Sequence, residues 1–272
     1  MEARRRKLSW LKSIMRELDS VVVAYSGGVD STFLAVVARE VLGDRSLAVT
    51  ACSEIYPEKE LQAAIELARR LGLRHQTIRT EELSNERFVA NPPDRCYHCK
   101  TNLLGKLMDI AREQGFSHVI VGDNYDDQFD YRPGMRAVRE SGAVSPLAEA
   151  GLTKEDIRLL SREMGLPTWD KPSLACLSSR FPYGERITKD KLAMVEQAEE
   201  FICSLGIRQL RVRHHGNIAR IEVGNEDLAK IIRAAGEIVL KFKEIGYNYA
   251  TLDLGGYRTG SLNEILPGRR NN

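Results

Sequence analysis

The sequence predicts an α/β protein, a doubly wound parallel sheet followed by a smaller C-terminal α+β domain. Three observations carry that expectation. Short β-branched or apolar runs alternate with stretches of helical periodicity through the first half of the chain. The run Val21-Val22-Val23 breaks at Ser26-Gly27-Gly28 and gives way to an apolar helix from Phe33 onward. After residue 184 the pattern restarts as helix, paired strands, helix and strand. With 272 residues, 43% of them hydrophobic, the chain has the length for one large or two modest domains and the material for a packed core. We expect the first domain over residues 1–180 and the second over 181–272.

In order along the chain, Leu8, Leu11, Ile14, Met15 and Leu18 fall at helical spacing behind Arg4, Arg5, Arg6 and Lys7. That pattern reads as an amphipathic helix rather than a signal peptide. Ser46–Ala51 and His75–Arg79 read as the second and third strands, and Pro57–Leu71 between them as a helix facing inward through Leu61, Ala64, Ile65 and Ala68. Leu83–Arg95, polar and carrying Pro92 and Pro93, reads as a loop, and Cys96 and Cys99 form a Cys-x-x-Cys in the loop just before the next helix. A helix follows over Lys100–Gln114, ended by Gly115, and then a fourth strand over His118–Gly122. Asp123–Ser145 is polar and turn-rich, and Thr153–Gly165 reads as a helix with a capping box from Thr153 to Asp156. Pro167–Gly184 reads as irregular. Beyond it come a helix over Lys189–Leu205, strands over Arg208–His214 and Ile218–Val223 around a His-Gly-Asn turn, a helix over Glu226–Ile245 and a strand over Tyr249–Leu254. The tail from Pro267 reads as mobile.

In parallel sheets of this kind ligands bind beyond the carboxyl ends of the strands. Ser26, Gly27, Gly28, Asp30 and Ser31 lie at such an end, where turn amides, the positive end of a helix dipole and hydroxyls converge on an anion without requiring a lysine. Neither G-x-x-x-x-G-K-[ST] nor G-x-G-x-x-G occurs there, so the nucleotide P-loop and the dinucleotide fingerprint drop out. Five cysteines, an odd number, do not form a disulfide framework and point to a reducing cytoplasm. Cys96 and Cys99 suit a redox motif, half a zinc site or iron–sulfur ligands. Cys176 sits in a loop with Ser179 and Arg180, whereas Cys52 and Cys203 read as small buried residues. Arg211 and Arg213 alternate along a predicted strand and so share a face suited to gripping a phosphate or carboxylate, with Glu222 close by. No apolar run is long enough to span a membrane. A balance of 40 Lys+Arg against 38 Asp+Glu gives no polyanion signature.

Ser-Gly-Gly-Val-Asp-Ser at 26–31 resembles the PP-loop of ATP pyrophosphatases. Together with Gly-Asp-Asn-Tyr-Asp-Asp at 122–127, Asp-Tyr-Arg-Pro-Gly at 130–134, Pro-Ser-Leu-Ala-Cys-Leu-Ser-Ser-Arg at 172–180 and Arg-Val-Arg-His-His-Gly at 211–216, it resembles the LarE-type ATP-dependent sulfur transferases over nearly the whole chain. The resemblance implies that a carboxylate of pyridinium-3,5-biscarboxylic acid mononucleotide is adenylated by ATP and then converted to a thiocarboxylate, on the way to the nickel-pincer cofactor of lactate racemase. It implies Mg²⁺ near Asp30, with Asp126 and Asp127 as further carboxylates, and an anion site at Arg211 and Arg213. Two sulfur routes exist in the family: sacrifice of the cysteine matching Cys176, or a [4Fe–4S] cluster on three cysteines whose open iron carries sulfide. With Cys96 and Cys99 beside Cys176, we favour the cluster. The family's hexameric assembly implies a homo-oligomer. A tRNA thiolase is the alternative, and the near-neutral charge and short C-terminal domain count against it. A nucleotide-binding regulatory module without turnover is a third reading, and it requires Cys176 to be inert.

Overall fold

Three consecutive valines put their side chains on alternate faces of a strand, and both faces are buried. In the computed structural model, which describes residues 2–129, 133–172, 175–258 and 260–265, Val21, Val22 and Val23 are at most 1% exposed. Val21 and Val23 join one apolar cluster, and Val22 joins another on the opposite face. A strand sandwiched in this way needs helices on both sides, and the elements around it supply them. In chain order these are α1 (Glu2–Leu18), β1 (Val21–Ala24), α2 (Val29–Leu42), β2 (Ser46–Cys52), α3 (Glu58–Arg70) and β3 (His75–Arg79). They are followed by α4 (Glu86–Val89), α5 (Arg95–Gln114), β4 (His118–Ile120), α6 (Gly134–Ser141), α7 (Pro146–Glu149) and α8 (Lys154–Glu163). The sheet is parallel throughout, in the order β3-β2-β1-β4. Leu11, Phe33, Leu34, Ala64, Ile157 and Leu160, from α1, α2, α3 and α8, pack on the Val21 face. Leu104, Leu107 and Val138, from α5 and α6, pack on the Val22 face.

The order matters for the site. The chain runs from β1 outward to β3 and then returns to place β4 on β1's other side, so the direction of winding reverses between β1 and β4. The carboxyl ends of strands flanking such a switch leave a crevice.

Two compact units divide the chain: Met1–Phe88 with Pro93–Leu174, and Val89–Pro92 with Ala175–Asn272. Cys176 to Arg180 therefore fall in the second unit, although the boundary expected from the sequence stood after residue 180. The second unit holds α9 (Lys189–Ser204), β5 (Leu210–His215), β6 (Ile218–Val223), α10 (Leu228–Arg233), α11 (Ala235–Ile245) and β7 (Tyr249–Leu252). β6 pairs antiparallel with β5 and parallel with β7. Val212, Ala219, Ile221, Ile202, Ile238 and Phe242 form its core. The borrowed segment is stitched in by backbone and side chain: Asn91 Nδ2 donates to the Pro182 carbonyl at 2.7 Å, and Gly184 and Ile187 donate to the carbonyls of Asn91 and Val89 at 2.9 Å each.

Several boundaries differ from the sequence reading. α5 begins at Arg95 rather than Lys100, so Cys96 and Cys99 lie within its first two turns, not in a loop before it. Leu83–Arg95 also contains α4, and Asp123–Ser145 contains α6 and a 3-10 turn over Tyr125–Phe129. Glu226–Ile245 is broken at Ala234 into α10 and α11. Cys203 is exposed and Cys52 half-buried, where both were expected inside. β5 begins at Leu210 rather than Arg208 and runs through His215, one residue past the expected end, and His214 within it is buried. Asp130–Arg132, Ser173, Leu174 and the tail from Pro267 lie outside the described residues.

Candidate active site

Gly27 has φ +67°, and a Cβ built on it would lie 2.8 Å from the Ala64 Cβ of α3. Both the left-handed backbone and the close helix make glycine necessary at this position. Gly28 is the N-cap of α2 and brings no side chain to accept from the helix's first amides, which leaves that end open to an anion. The hydroxyls arrange themselves around the turn. Ser26 and Ser31 Oγ are 3.0 Å apart, the Ser26 amide donates to Ser31 Oγ at 3.2 Å, and Thr32 N–H donates to the Gly28 carbonyl at 3.0 Å.

β4's continuation closes on this turn from the other side of the switch. A Cβ on Gly122 would lie 3.2 Å from the Ser31 amide nitrogen, so the Gly-Asp-Asn segment packs directly on α2's first turn. Asp123, which follows it, holds the Lys100 ammonium through both oxygens at 3.0 Å. Asp30 accepts from Lys154 at 2.6 Å through Oδ2, while its Oδ1 is buried with no partner among the described residues. Such an orphaned carboxylate oxygen beside a phosphate cradle is suited to a hard divalent cation such as Mg²⁺. Asp126 accepts from the Lys154 amide at the start of α8 at 2.8 Å, and Asp127 accepts from the Asn124 amide of its own turn at 3.0 Å. The sequence reading needed no lysine here. The structure brings two to the turn, because Lys171 also donates to the Gly27 carbonyl at 3.2 Å and to Glu60 at 3.0 Å.

Cys96 and Cys99, three residues apart near the start of α5, stand on one side of that helix. Cys99 Sγ lies 3.8 Å from Oε1 of Glu82, a carboxylate only 2% exposed that also accepts from Ser53 Oγ. None of the five cysteines is paired in a disulfide, so each leaves a soft sulfur donor of the kind an iron–sulfur cluster requires. Among the described residues no group of three or more His, Cys, Asp or Glu is arranged round a metal position.

In the second unit the Cys176 loop is fixed by Arg180, which is 2% exposed. Its guanidinium grips Glu199 of α9 through two bonds of 2.9 and 2.8 Å. From the same group Nη1 donates to the carbonyls of Ala175 at 2.8 Å and Cys176 at 3.0 Å, and to Ser179 Oγ at 2.9 Å. Glu199 in turn accepts from the Val212 amide of β5 at 2.9 Å, so one buried ion pair ties the cysteine loop to a helix and a strand. The two strand arginines do share a face, but they differ. Arg213 is engaged by Glu222 and Ser261 at 2.8 Å each and by the Ser179 carbonyl at 2.8 Å. Arg211 stands over the Tyr257 ring at 5.3 Å, and burial, then the charge of Arg180 nearby, depresses its pKa. A cation in that position gains from an arriving anion.

The protein family described as NAD synthase matches residues 5–105, the stretch that holds the glycine turn and α5's start. The chain is 40% identical to the pyridinium-3,5-bisthiocarboxylic acid mononucleotide synthase of Lactiplantibacillus plantarum over 96% of this chain and 95% of that protein. It is 46% identical to the uncharacterized protein slr1717 of Synechocystis, over 96% of this chain and 98% of that one. Identity with the uncharacterized protein MJ0830 of Methanocaldococcus jannaschii is 32%, over 93% of this chain and 98% of that one.

Proposed function

The chain belongs to the LarE-type family of PP-loop ATP-dependent sulfur transferases, and from that premise we propose that it adenylates a carboxylate of pyridinium-3,5-biscarboxylic acid mononucleotide and replaces the adenylate with sulfur. The observation that carries this reading is the Ser26–Ser31 turn, which opens an uncapped helix N-terminus at the sheet's switch point. There the turn amides and hydroxyls hold the phosphates of ATP. A substrate carboxylate oxygen attacks the α-phosphorus, the bond to the β-phosphate oxygen breaks, and pyrophosphate leaves. The resulting mixed anhydride has AMP as a good leaving group, so a sulfur nucleophile at the acyl carbon yields the thiocarboxylate and AMP. Asp30 is the residue that holds Mg²⁺, which offsets the phosphate charge.

Cys176 supplies or carries the sulfur, in a loop whose backbone Arg180 fixes. Cys96 and Cys99, together with Cys176, are the thiolates that would hold a [4Fe–4S] cluster, which would supply the sulfide for transfer. Arg211, supported by Arg213, Ser179 and Arg180, receives an anionic group of the mononucleotide. The enzyme assembles as a homo-oligomer, which light scattering on the purified protein checks.

One experiment separates the two sulfur routes. The anaerobically reconstituted protein is incubated with ATP, Mg²⁺ and the biscarboxylic mononucleotide, and both small molecule and protein are weighed by mass spectrometry. Thiocarboxylate with unchanged protein, together with bound iron and sulfide, is expected. A loss of about 34 Da at Cys176 instead identifies the sacrificial route. Absence of both pyrophosphate and thiocarboxylate overturns the reading as a whole.

A further inference from the structure

Two ammonium groups, one from α8 and one from the segment after it, reach the glycine turn. Lys154 is its first residue, set behind a Thr153–Asp156 capping box, and its Nζ reaches Asp30 Oδ2 at 2.6 Å. Lys171 comes after the helix, but Arg158 of α8 donates to its backbone carbonyl at 2.9 Å and to that of Trp169 at 2.8 Å, which fixes where the lysine stem begins. From there Nζ reaches the Gly27 carbonyl at 3.2 Å and Glu60 at 3.0 Å. Both side chains are half-buried, at 34% and 23% exposure, so their stems are packed while their heads stand at the loop.

Each lysine is engaged by groups that a nucleotide complex can exchange. The Gly27 carbonyl is a neutral acceptor, weaker for an ammonium than a phosphate oxygen. Asp30 has a second oxygen, Oδ1, buried without a partner among the described residues, and a divalent cation recruited there competes with Lys154 for the same carboxylate. A polyanion at α2's open N-terminus therefore gains two cations whose present acceptors are a peptide carbonyl and metal-competent or half-exposed carboxylates.

We propose that Lys154 and Lys171 are triphosphate-binding residues: on arrival of the nucleotide, Lys154 passes from Asp30 and Lys171 from the Gly27 carbonyl to phosphate oxygens. This rests on the reading of the turn as the ATP site. Because the attraction scales with ligand charge, the two lysines favour ATP over AMP.

The test is equilibrium binding of Mg²⁺ with a non-hydrolysable ATP analogue, and of AMP, to the full-length protein by calorimetry. Lys154→Gln and Lys171→Gln are each expected to weaken the analogue by about tenfold or more and AMP by less, and to flatten the salt dependence of analogue binding. Lys241→Gln, which removes a surface cation paired with Glu244 in the second unit, leaves both affinities unchanged. Lys154→Arg and Lys171→Arg, which keep the charge, retain analogue binding and decide the case should a glutamine variant melt early. Glutamine variants that bind the analogue as tightly as the wild type overturn the lysine assignment while leaving the ATP site standing. A wild type that binds no analogue overturns both.

Discussion

Single residues set the chemistry's geometry, and Gly27 is the most sharply constrained of them. Gly27→Ala meets both a positive φ and a 2.8 Å approach to the Ala64 Cβ. We expect it to abolish ATP-dependent pyrophosphate release and to cost about 1–3 kcal/mol in urea unfolding. Adding Ala64→Gly removes the nearer contact but leaves the residue-64 Cα at 3.0 Å and the φ penalty, so the double variant is expected to recover part of the stability. Arg180 acts through another residue: its hydrogen bonds among the described residues go to Glu199, Ser179 and the backbone at Ala175 and Cys176. Arg180→Lys keeps the charge but loses the paired grip on Glu199, so thiocarboxylate formation is expected to fall by about tenfold or more while pyrophosphate release is retained. General misfolding lowers both. The strand, turn and helix around Ser26 to Ser31 were legible in sequence, since the residues that form them are contiguous. The lysines were not, because 124 residues separate Lys154 from Asp30 and 144 separate Lys171 from Gly27, and only the fold joins them.

At the scale of elements, what the sequence reveals depends on how much apolar surface an element buries. β1 and α2 are buried along most of their length and read directly. α5's first turn buries Arg95 instead of a hydrophobe and follows two prolines, so no periodicity marked its true start. α6 buries only Gly134, Ala137 and Val138 among charged neighbours and was lost in a polar stretch. The break at Ala234 has no proline to signal it, and its backbone simply departs from helical values at φ −90°, ψ 9°. α8 was legible from its capping box, whose two reciprocal bonds are formed. Thr153→Ala removes one of them and is expected to lower stability by about 1 kcal/mol in urea unfolding.

Across the whole molecule, three histidines in two units respond to acid in the same direction. Burial pushes the pKa of His75, His214 and His215 below the ordinary 6.5. His75 shares a 2.8 Å hydrogen bond with Thr50, and His214 Nδ1 lies 3.1 Å from the Tyr247 hydroxyl. Because the folded values are depressed, the unfolded chain takes up protons first as pH drops through 6.5. Stability is therefore complete above that pH and is lost progressively below it. The urea midpoint is expected to fall between pH 7.5 and 5.5, and His75→Asn to reduce the part of that fall that comes from the first unit.

The second unit's use of Val89–Pro92 carries a consequence for anyone dissecting the chain. The polypeptide visits this unit twice, and the first visit lies inside the run of the other. Asn91, wholly inaccessible to solvent and left-handed at φ 55°, supplies the carbonyl and amide that the turn around Pro182 and Gly184 depends on. A fragment expressed from residue 175 onward arrives without that peg, so its unmet amides at Gly184 and Ile187 face water or collapse. Autonomy of this unit is then to be sought in a graft that returns those four residues, not in a C-terminal truncation product.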